Sequence, residues 1–158
     1  FNGAWVPFLF RNLKKENPQI NLRIVKFTYL SFIGIFGVAV LITYLAPFFL
    51  KVFVDPSFYS AREYVVWIAL ASVANGMYYM VANYIFYVEK TMFLAGVTIV
   101  SAIMNVFLNY IFIIRNGPVG AAQATAISAF IQFILTWILS MKAYKMPWFY
   151  FLRKQAYE

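Results

Sequence analysis

Uncharged polar side chains recur at helical spacing inside long apolar stretches of this sequence. Three sets occur: Asn75, Tyr79 and Asn83; Thr98, Ser101, Asn105 and Asn109; and Thr125, Ser128, Gln132 and Thr136. Residues three or four positions apart share one face of a helix, so each set predicts a polar stripe. The chemistry open to amides and hydroxyls is neutral hydrogen bonding, in which they both donate and accept.

Two interpretations of these stripes stay open. In the first, the groups bond across helix contacts, at about 0.6 kcal/mol each and up to about 2. In the second, they line a water-filled cavity, since an amide that faces hydrocarbon without a partner costs several kcal/mol. Five residues are candidates for the lining of a substrate-binding cavity: Asn75, Tyr79, Asn83, Asn105 and Asn109.

Catalytic and metal-binding residues are scarce. The sequence has no histidine and no cysteine, so it lacks the commonest acid/base group and the thiolate ligand of zinc sites. Five acids lie in loops or at chain ends, none paired at metal-binding spacing: Glu16, Asp55, Glu63, Glu89 and Glu158. No glycine-rich phosphate loop or serine elbow occurs. We therefore expect no enzyme activity, no cofactor and no metal site.

The polar stripes belong to a chain with the composition of a membrane protein. Hydrophobic residues make up 64% of it and charged residues only 11%, too few to cover the surface of a soluble domain. Four uncharged stretches are each long enough to cross a bilayer as a helix: residues 27–50, 64–88, 92–114 and 119–141. We predict an all-α membrane protein, a polytopic transmembrane helix bundle formed by residues 27–141.

The segments that flank this bundle are more polar or too short to span. Residues 1–13 predict the end of a truncated transmembrane helix, because their apolar run is about half the ~20 residues required. Residues 14–26 contain the break Asn17-Pro18 and predict a basic cytoplasmic loop, and residues 142–158 predict a basic cytoplasmic tail. The chain begins without an initiator methionine or a signal-peptide pattern, so we expect a fragment of a longer protein.

Basic residues are unevenly distributed between the two sides that these spans define. One side holds three: Lys51, Arg62 and Arg115. The other holds ten: Arg11, Lys14, Lys15, Arg23, Lys26, Lys90, Lys142, Lys145, Arg153 and Lys154. Short loops rich in Lys and Arg stay in the cytoplasm, so the C-terminus is predicted to be cytoplasmic. This bias also accounts for the net charge of +8, and without a nucleic-acid-binding motif no nucleic-acid partner is expected.

Three stretches carry a resemblance to a known family. They are FYSAREYVVWIALASVANGMYYM, KTMFLAGVTIVSAIMNVFLNYIFI and GPVGAAQATAIS. With their spacing, they resemble the C-terminal half of polysaccharide flippases, within the multidrug/oligosaccharidyl-lipid/polysaccharide exporter superfamily, over residues 27–141. The chain departs from the family's usual turn, because Pro118 follows Gly117 where the family has a proline a few residues before the glycine.

The resemblance implies a MATE-like transporter of two pseudo-symmetric halves in the bacterial inner membrane. Its implied function is to flip an undecaprenyl-diphosphate-linked oligosaccharide to the outer leaflet, for the synthesis of O-antigen, capsule or exopolysaccharide. The implied partners are this substrate, membrane lipids and the missing N-terminal half. The diphosphate or another lipid headgroup requires positive charge, and the candidates are Arg11, Lys14, Lys15, Arg23 and Lys26. Topology and attraction to anionic lipids, at about 1 kcal/mol per charge, account for the same residues.

Three alternatives stay open. A multidrug exporter of the same superfamily would have the same architecture. A membrane enzyme acting on the glycolipid, such as a polymerase or an acyltransferase, would have its catalytic part outside this sequence. A scaffold that transports nothing would use the polar stripes for packing alone and would enclose no hydrated cavity.

Overall fold

The computed structural model describes residues 2–15 and 17–149, and within them the chain is an all-α helical bundle, as predicted. These residues form five α-helices: α1 (Asn2–Leu13), α2 (Pro18–Phe53), α3 (Arg62–Tyr87), α4 (Thr91–Asn116) and α5 (Pro118–Ala143). A short 3-10 helix, Pro56–Ala61, lies between α2 and α3. The last part of the predicted basic tail, residues 150–158 with Arg153 and Lys154, lies outside the described residues.

Four of these helices, α2 to α5, are long and apolar enough to cross a membrane. This finding supports the prediction of a multi-pass membrane protein. Each of α3, α4 and α5 has 26 residues, which corresponds to ~39 Å and exceeds the ~30 Å hydrocarbon core of a bilayer. Large apolar side chains project from the bundle, among them Leu30, Ile33 and Ile103, each at least 65% exposed. Such a surface is suited to lipid.

Helix α2 begins earlier than the sequence predicted. Residues 18–26, assigned to the basic loop, are the first turns of a 36-residue helix that is ~54 Å long. Asn17 caps it, with the side-chain oxygen accepting a hydrogen bond from the backbone N–H of Gln19 at 2.9 Å, and Pro18 occupies the first turn. This segment therefore extends the spanning helix beyond the hydrocarbon core, and its cations lie on that extension. The connection between α1 and α2 consists of residues 14–17.

Helices α4 and α5 form a hairpin whose turn depends on glycine. Gly117 has φ +63° and ψ −149°, a conformation that is essentially restricted to glycine, and Pro118 starts α5 directly after it. At Gly120 an added Cβ atom would overlap the backbone oxygen of Phe112. The two backbones therefore touch, as expected where small residues let transmembrane helices approach.

The four spanning helices pack in the order α2, α3, α5, α4. Helix α5 has extensive contacts with both α3 and α4, and α3 also contacts α2. Helices α3 and α4 are consecutive in the chain but contact each other little. Between α3 and α5 the contact is made by small buried residues: Ala71, Ala74, Ala126 and Ala129. The result is a row of helices with two open sides.

Near the start of α2 and the ends of α3 and α5, aromatic side chains pack together into a cluster, here called the aromatic core. Its members come from α2, α3, α5 and the segment after α5: Tyr29, Phe32, Tyr84, Phe133, Trp137, Tyr144 and Trp148. The hydroxyl of Tyr29 donates a hydrogen bond to the backbone oxygen of Trp148 at 2.8 Å, and Trp148 is buried. Residues 144–149, predicted as part of a basic tail, therefore fold back into the bundle.

Candidate functional site

Three helices meet in a small apolar cluster near the α3–α4 turn. Its buried members are Ala82 and Ile85 of α3 and Leu94 of α4, and Leu139 of α5 packs against them. These contacts show which side of each of the three helices faces the other two. A step of seven or eleven residues returns to nearly the same side of a helix, since the α-helix has 3.6 residues per turn.

Polar residues occupy those same sides two to three turns away from the cluster. Asn75 lies seven residues before Ala82, and Gln132 lies seven residues before Leu139. Asn105 lies eleven residues after Leu94, on a helix that runs in the opposite direction. All three polar residues are therefore displaced from the cluster toward the other end of the bundle, by ~10 to 17 Å.

We call the resulting surface the polar face. Its members are Ser72, Asn75 and Tyr79 of α3, Thr98, Asn105 and Asn109 of α4, and Thr125, Ser128 and Gln132 of α5. The sequence predicted three separate stripes. The packing order of the helices places them on one side of the row, with α5 between α3 and α4.

On α4 the amides are tied to α5 and to each other. The Nδ2 of Asn105 donates to the hydroxyl oxygen of Ser128 at 3.3 Å, which crosses the α4–α5 interface. The Nδ2 of Asn109 donates to the backbone oxygen of Asn105 at 2.9 Å and to its side-chain oxygen at 3.0 Å. Both asparagines stay half-buried. They can serve both interpretations of the stripe, as interhelical contacts and as lining.

On α3 the candidates separate into two environments. Asn75 is exposed, its Nδ2 donates to the backbone oxygen of Ala71 at 3.0 Å, and Tyr79 is 54% exposed. Asn83 is only 4% exposed, and its Nδ2 donates to the backbone oxygen of Tyr79 at 2.7 Å. The first two can be reached from outside the bundle. Asn83 can only act from inside the packing.

Buried hydroxyls add a feature that the sequence only partly indicated. The hydroxyls of Ser101, Thr136 and Ser140 are buried and have no hydrogen-bond partner among the described residues. Ser101 and Thr136 belong to the predicted stripes, whereas Ser140 was missed. The missed signal was simple, because Ser140 extends the third stripe by one more step of four residues.

All five candidate cations for a lipid headgroup are exposed and lie around the connection between α1 and α2. Two of them, Lys15 and Arg23, line a common cavity of about 450 Å³ between these helices. The other candidates, Arg11, Lys14 and Lys26, do not line this cavity. The described residues contain no group of three side chains that could hold a metal ion.

Two grooves flank the contact between α2 and α3. The first, of about 620 Å³, is lined by apolar residues with only two hydroxyls, Ser31 and Ser72. The second, of about 700 Å³, lies on the other flank and ends at Arg62 and Glu63. Since Ser72 also belongs to the polar face, the first groove and the polar face share the exposed side of α3.

Comparison with known proteins gives no relative. No family model, no curated protein and no solved structure matches the chain. The flippase resemblance drawn from the three stretches therefore stays a prediction.

Proposed function

We propose that this protein is part of a transporter that moves a lipid-linked oligosaccharide across a membrane. The single observation that carries the proposal is the polar face, on which uncharged amides and hydroxyls of three spanning helices are brought to one side of the bundle. In a bundle that faced only lipid, exposed amides on this side would be unfavourable, because each polar group without a partner costs several kcal/mol in hydrocarbon.

The chemistry of the polar face suits sugars. Oligosaccharides carry many hydroxyl groups, and amides can donate to and accept from them without a fixed charge. The lipid part of such a substrate can stay in the bilayer while its sugars cross along the face. The apolar cluster around Leu94 and Leu139 would limit the cavity at one end. The facing wall would come from an N-terminal half outside this sequence.

The proposal includes an orientation. The end of the bundle that holds the α1–α2 connection and the α3–α4 turn carries most of the described cations, and we assign it to the cytoplasm. A diphosphate headgroup would then approach near Lys15, Arg23 and their neighbours. The proposed substrate is an undecaprenyl-diphosphate-linked oligosaccharide, the membrane is the bacterial inner membrane, and the C-terminus is cytoplasmic.

Replacement of the amides by leucine tests the proposal. We expect the triple variant Asn75→Leu, Asn105→Leu and Asn109→Leu to lose polysaccharide export while its level in the membrane stays normal. The readout is surface polysaccharide in a strain that depends on the full-length transporter. Tyr110→Leu is the matched control, since Tyr110 is 70% exposed on α4 and lies on about the opposite side of that helix from Asn105 and Asn109. Normal export by the triple variant would contradict a lining role.

The hydrogen bonds also favour a second candidate, a scaffold without transport. The amides of Asn75, Asn83 and Asn105 all have partners within the bundle, which packing alone would explain. The two functions differ in hydration. A cysteine introduced at position 75 or 105 of a transporter should react with a membrane-impermeant thiol reagent, and in a scaffold embedded in lipid it should not.

A further inference from the structure

The cavity between α1 and α2 has a polar end and apolar walls. Lys15, Arg23 and the amide of Asn12 supply the polar part, and the remaining lining is Phe8, Ile20, Ile24 and Phe27. None of these lining residues is acidic, so within the described part of the chain the lining of the cavity offers no countercharge to the two cations. Anionic headgroups bind to basic pockets of this kind between transmembrane helices.

The first α2–α3 groove lies further along the same side of α2 and shares no lining residue with this cavity. Phe27, at the edge of the cavity toward the groove, stacks on Trp5 with 5.2 Å between the ring centroids. The cavity takes Ile20, Ile24 and Phe27 from α2, and the groove takes Ser31, Gly34, Val38 and Ile42. Successive steps of four and three residues keep all seven positions on one helix face. The gap from Phe27 to Ser31 is one turn, or ~6 Å. One face of α2 is therefore cationic at its start and apolar beyond it.

We propose that this face binds one anionic glycerophospholipid, with its phosphate at Lys15 and Arg23 and one acyl chain in the groove between α2 and α3. The charges select the headgroup: a phosphodiester is attracted by both cations, and a zwitterionic choline headgroup brings a positive group that they repel. The proposal concerns a bound lipid. It shares Lys15 and Arg23 with the diphosphate headgroup of the proposed substrate, so the two headgroups would compete for these cations.

The groove places the acyl chain beside α2. Arg23 lies eight residues before Ser31, or ~12 Å, and Phe27 lies halfway between them. An acyl chain one leaflet long, about half of the ~30 Å hydrocarbon core, that starts beside Phe27 would extend along about ten residues of α2. It would therefore occupy the part of the groove around Ser31 and Gly34.

The headgroup part is tested by native mass spectrometry of the full chain in detergent, with phosphatidylglycerol or phosphatidylcholine added. We expect one phosphatidylglycerol to be retained in preference to phosphatidylcholine. The double variant Lys15→Gln and Arg23→Gln should weaken its retention about thirty-fold. The matched control is Lys90→Gln with Lys142→Gln, which removes the same charge from exposed residues at the same end of the bundle, outside the cavity. An equal loss in both variants, or no loss in the first, would overturn the site.

The chain part is tested with a pair of glycines. A Cβ atom at Gly34 or at Gly37 would meet nothing within 4 Å, so both helix positions accept a larger side chain. Only Gly34 lines the groove. Gly34→Leu should therefore reduce phosphatidylglycerol retention several-fold, and Gly37→Leu should leave it unchanged. Equal behaviour of the two variants would reject the groove as the place of the acyl chain.

Competition identifies the source of the phosphate. We expect excess phosphatidylglycerol to displace the bound lipid, and soluble glycerol phosphate at the same concentration to leave it in place. Displacement by glycerol phosphate, or tighter binding of a polyprenyl phosphate than of phosphatidylglycerol, would overturn the proposal. These measurements include no export assay, so their failure leaves the transport proposal to be judged separately.

Discussion

The two halves of α2 are held in very different ways. Over its first half the helix is fixed by the aromatic core and by buried Ile24 and Val25, and its last buried residue is Ala39. An open groove flanks its contact with α3 from Ser31 onward, and a second groove flanks this contact from Phe36 onward. The first half can move only if large aromatic rings separate, whereas the second half can tilt at little cost in packing.

This difference shows where a spanning helix can respond to a partner. In a transporter of two halves, rigid-body rocking requires some helices to keep their contacts and others to change them. The α3–α5–α4 unit has the tight contacts, with alanines and a glycine at the interfaces. The far half of α2 has the adaptable ones. Four predictions test this contrast, in order of decreasing effect on stability.

The largest effect is expected at the aromatic core. Trp148→Ala removes a buried ring that contacts Tyr29, Tyr84 and Trp137, and should destabilise the protein by about 3 to 5 kcal/mol. The measurement is thermal unfolding in detergent followed by tryptophan fluorescence or size exclusion. Phe149→Ala is the control, since Phe149 is 52% exposed. If both variants unfold at the same temperature, the aromatic core does not fix α2.

The next effect is expected at the α4–α5 hairpin. Gly120→Ala places a Cβ atom against the backbone of Phe112, which cannot rotate away as a side chain can, so the helices must separate. We expect a loss of about 2 to 3 kcal/mol, a typical cost of overpacking. Gly96→Ala on α4 is the control, because nothing lies within 4 Å of its new Cβ atom. Equal stability of the two variants would contradict the close approach of α4 and α5.

The sequence was informative about the spans, and less so about where α2 begins and how the helices pack. All four spanning helices followed from uncharged stretches, because hydrocarbon excludes charge along a whole segment. The start of α2 was missed although its signals were present: Asn17 and Pro18 were interpreted as a break, and together they are also a helix cap and a first-turn proline. These two residues were sufficient to predict the start of α2, but they were assigned to a loop.

The polar face could not have been assembled from the sequence. Spacing gave three stripes, but their common side depends on α5 packing between α3 and α4, which is a tertiary contact. The fate of Asn83 shows the same limit. It has the helical spacing of Asn75 and Tyr79, yet the packing of α3 buries it. Trp148 is a third case, because a segment after the last span was expected to be a tail and folds back into the aromatic core.

A smaller effect distinguishes buried hydroxyls that have partners from those that do not. The hydroxyl of Thr28 donates to the backbone oxygen of Ile24 at 3.0 Å, and that of Thr136 has no partner among the described residues. Thr136→Val should be neutral or stabilising by up to about 1 kcal/mol, and Thr28→Val should cost about 1 kcal/mol. Unfolding in detergent measures both. The opposite order would mean that Thr136 has a partner in the membrane-embedded protein, such as a bound water.

The smallest effect bears most directly on function, because it separates the two uses of the polar face. Asn105 bonds across to Ser128, so Asn105→Ala should cost about 0.6 kcal/mol, the usual worth of such an interhelical bond. Among the described residues Asn75 bonds only to Ala71 of its own helix, and Asn75→Ala should leave stability unchanged within error. Both variants should nevertheless impair export if the face contacts the sugars. If export falls only in Asn105→Ala, the variant that loses stability, the polar face serves packing. A lining role predicts a loss of export in both variants, whatever the strength of the hydrogen bond that each one removes.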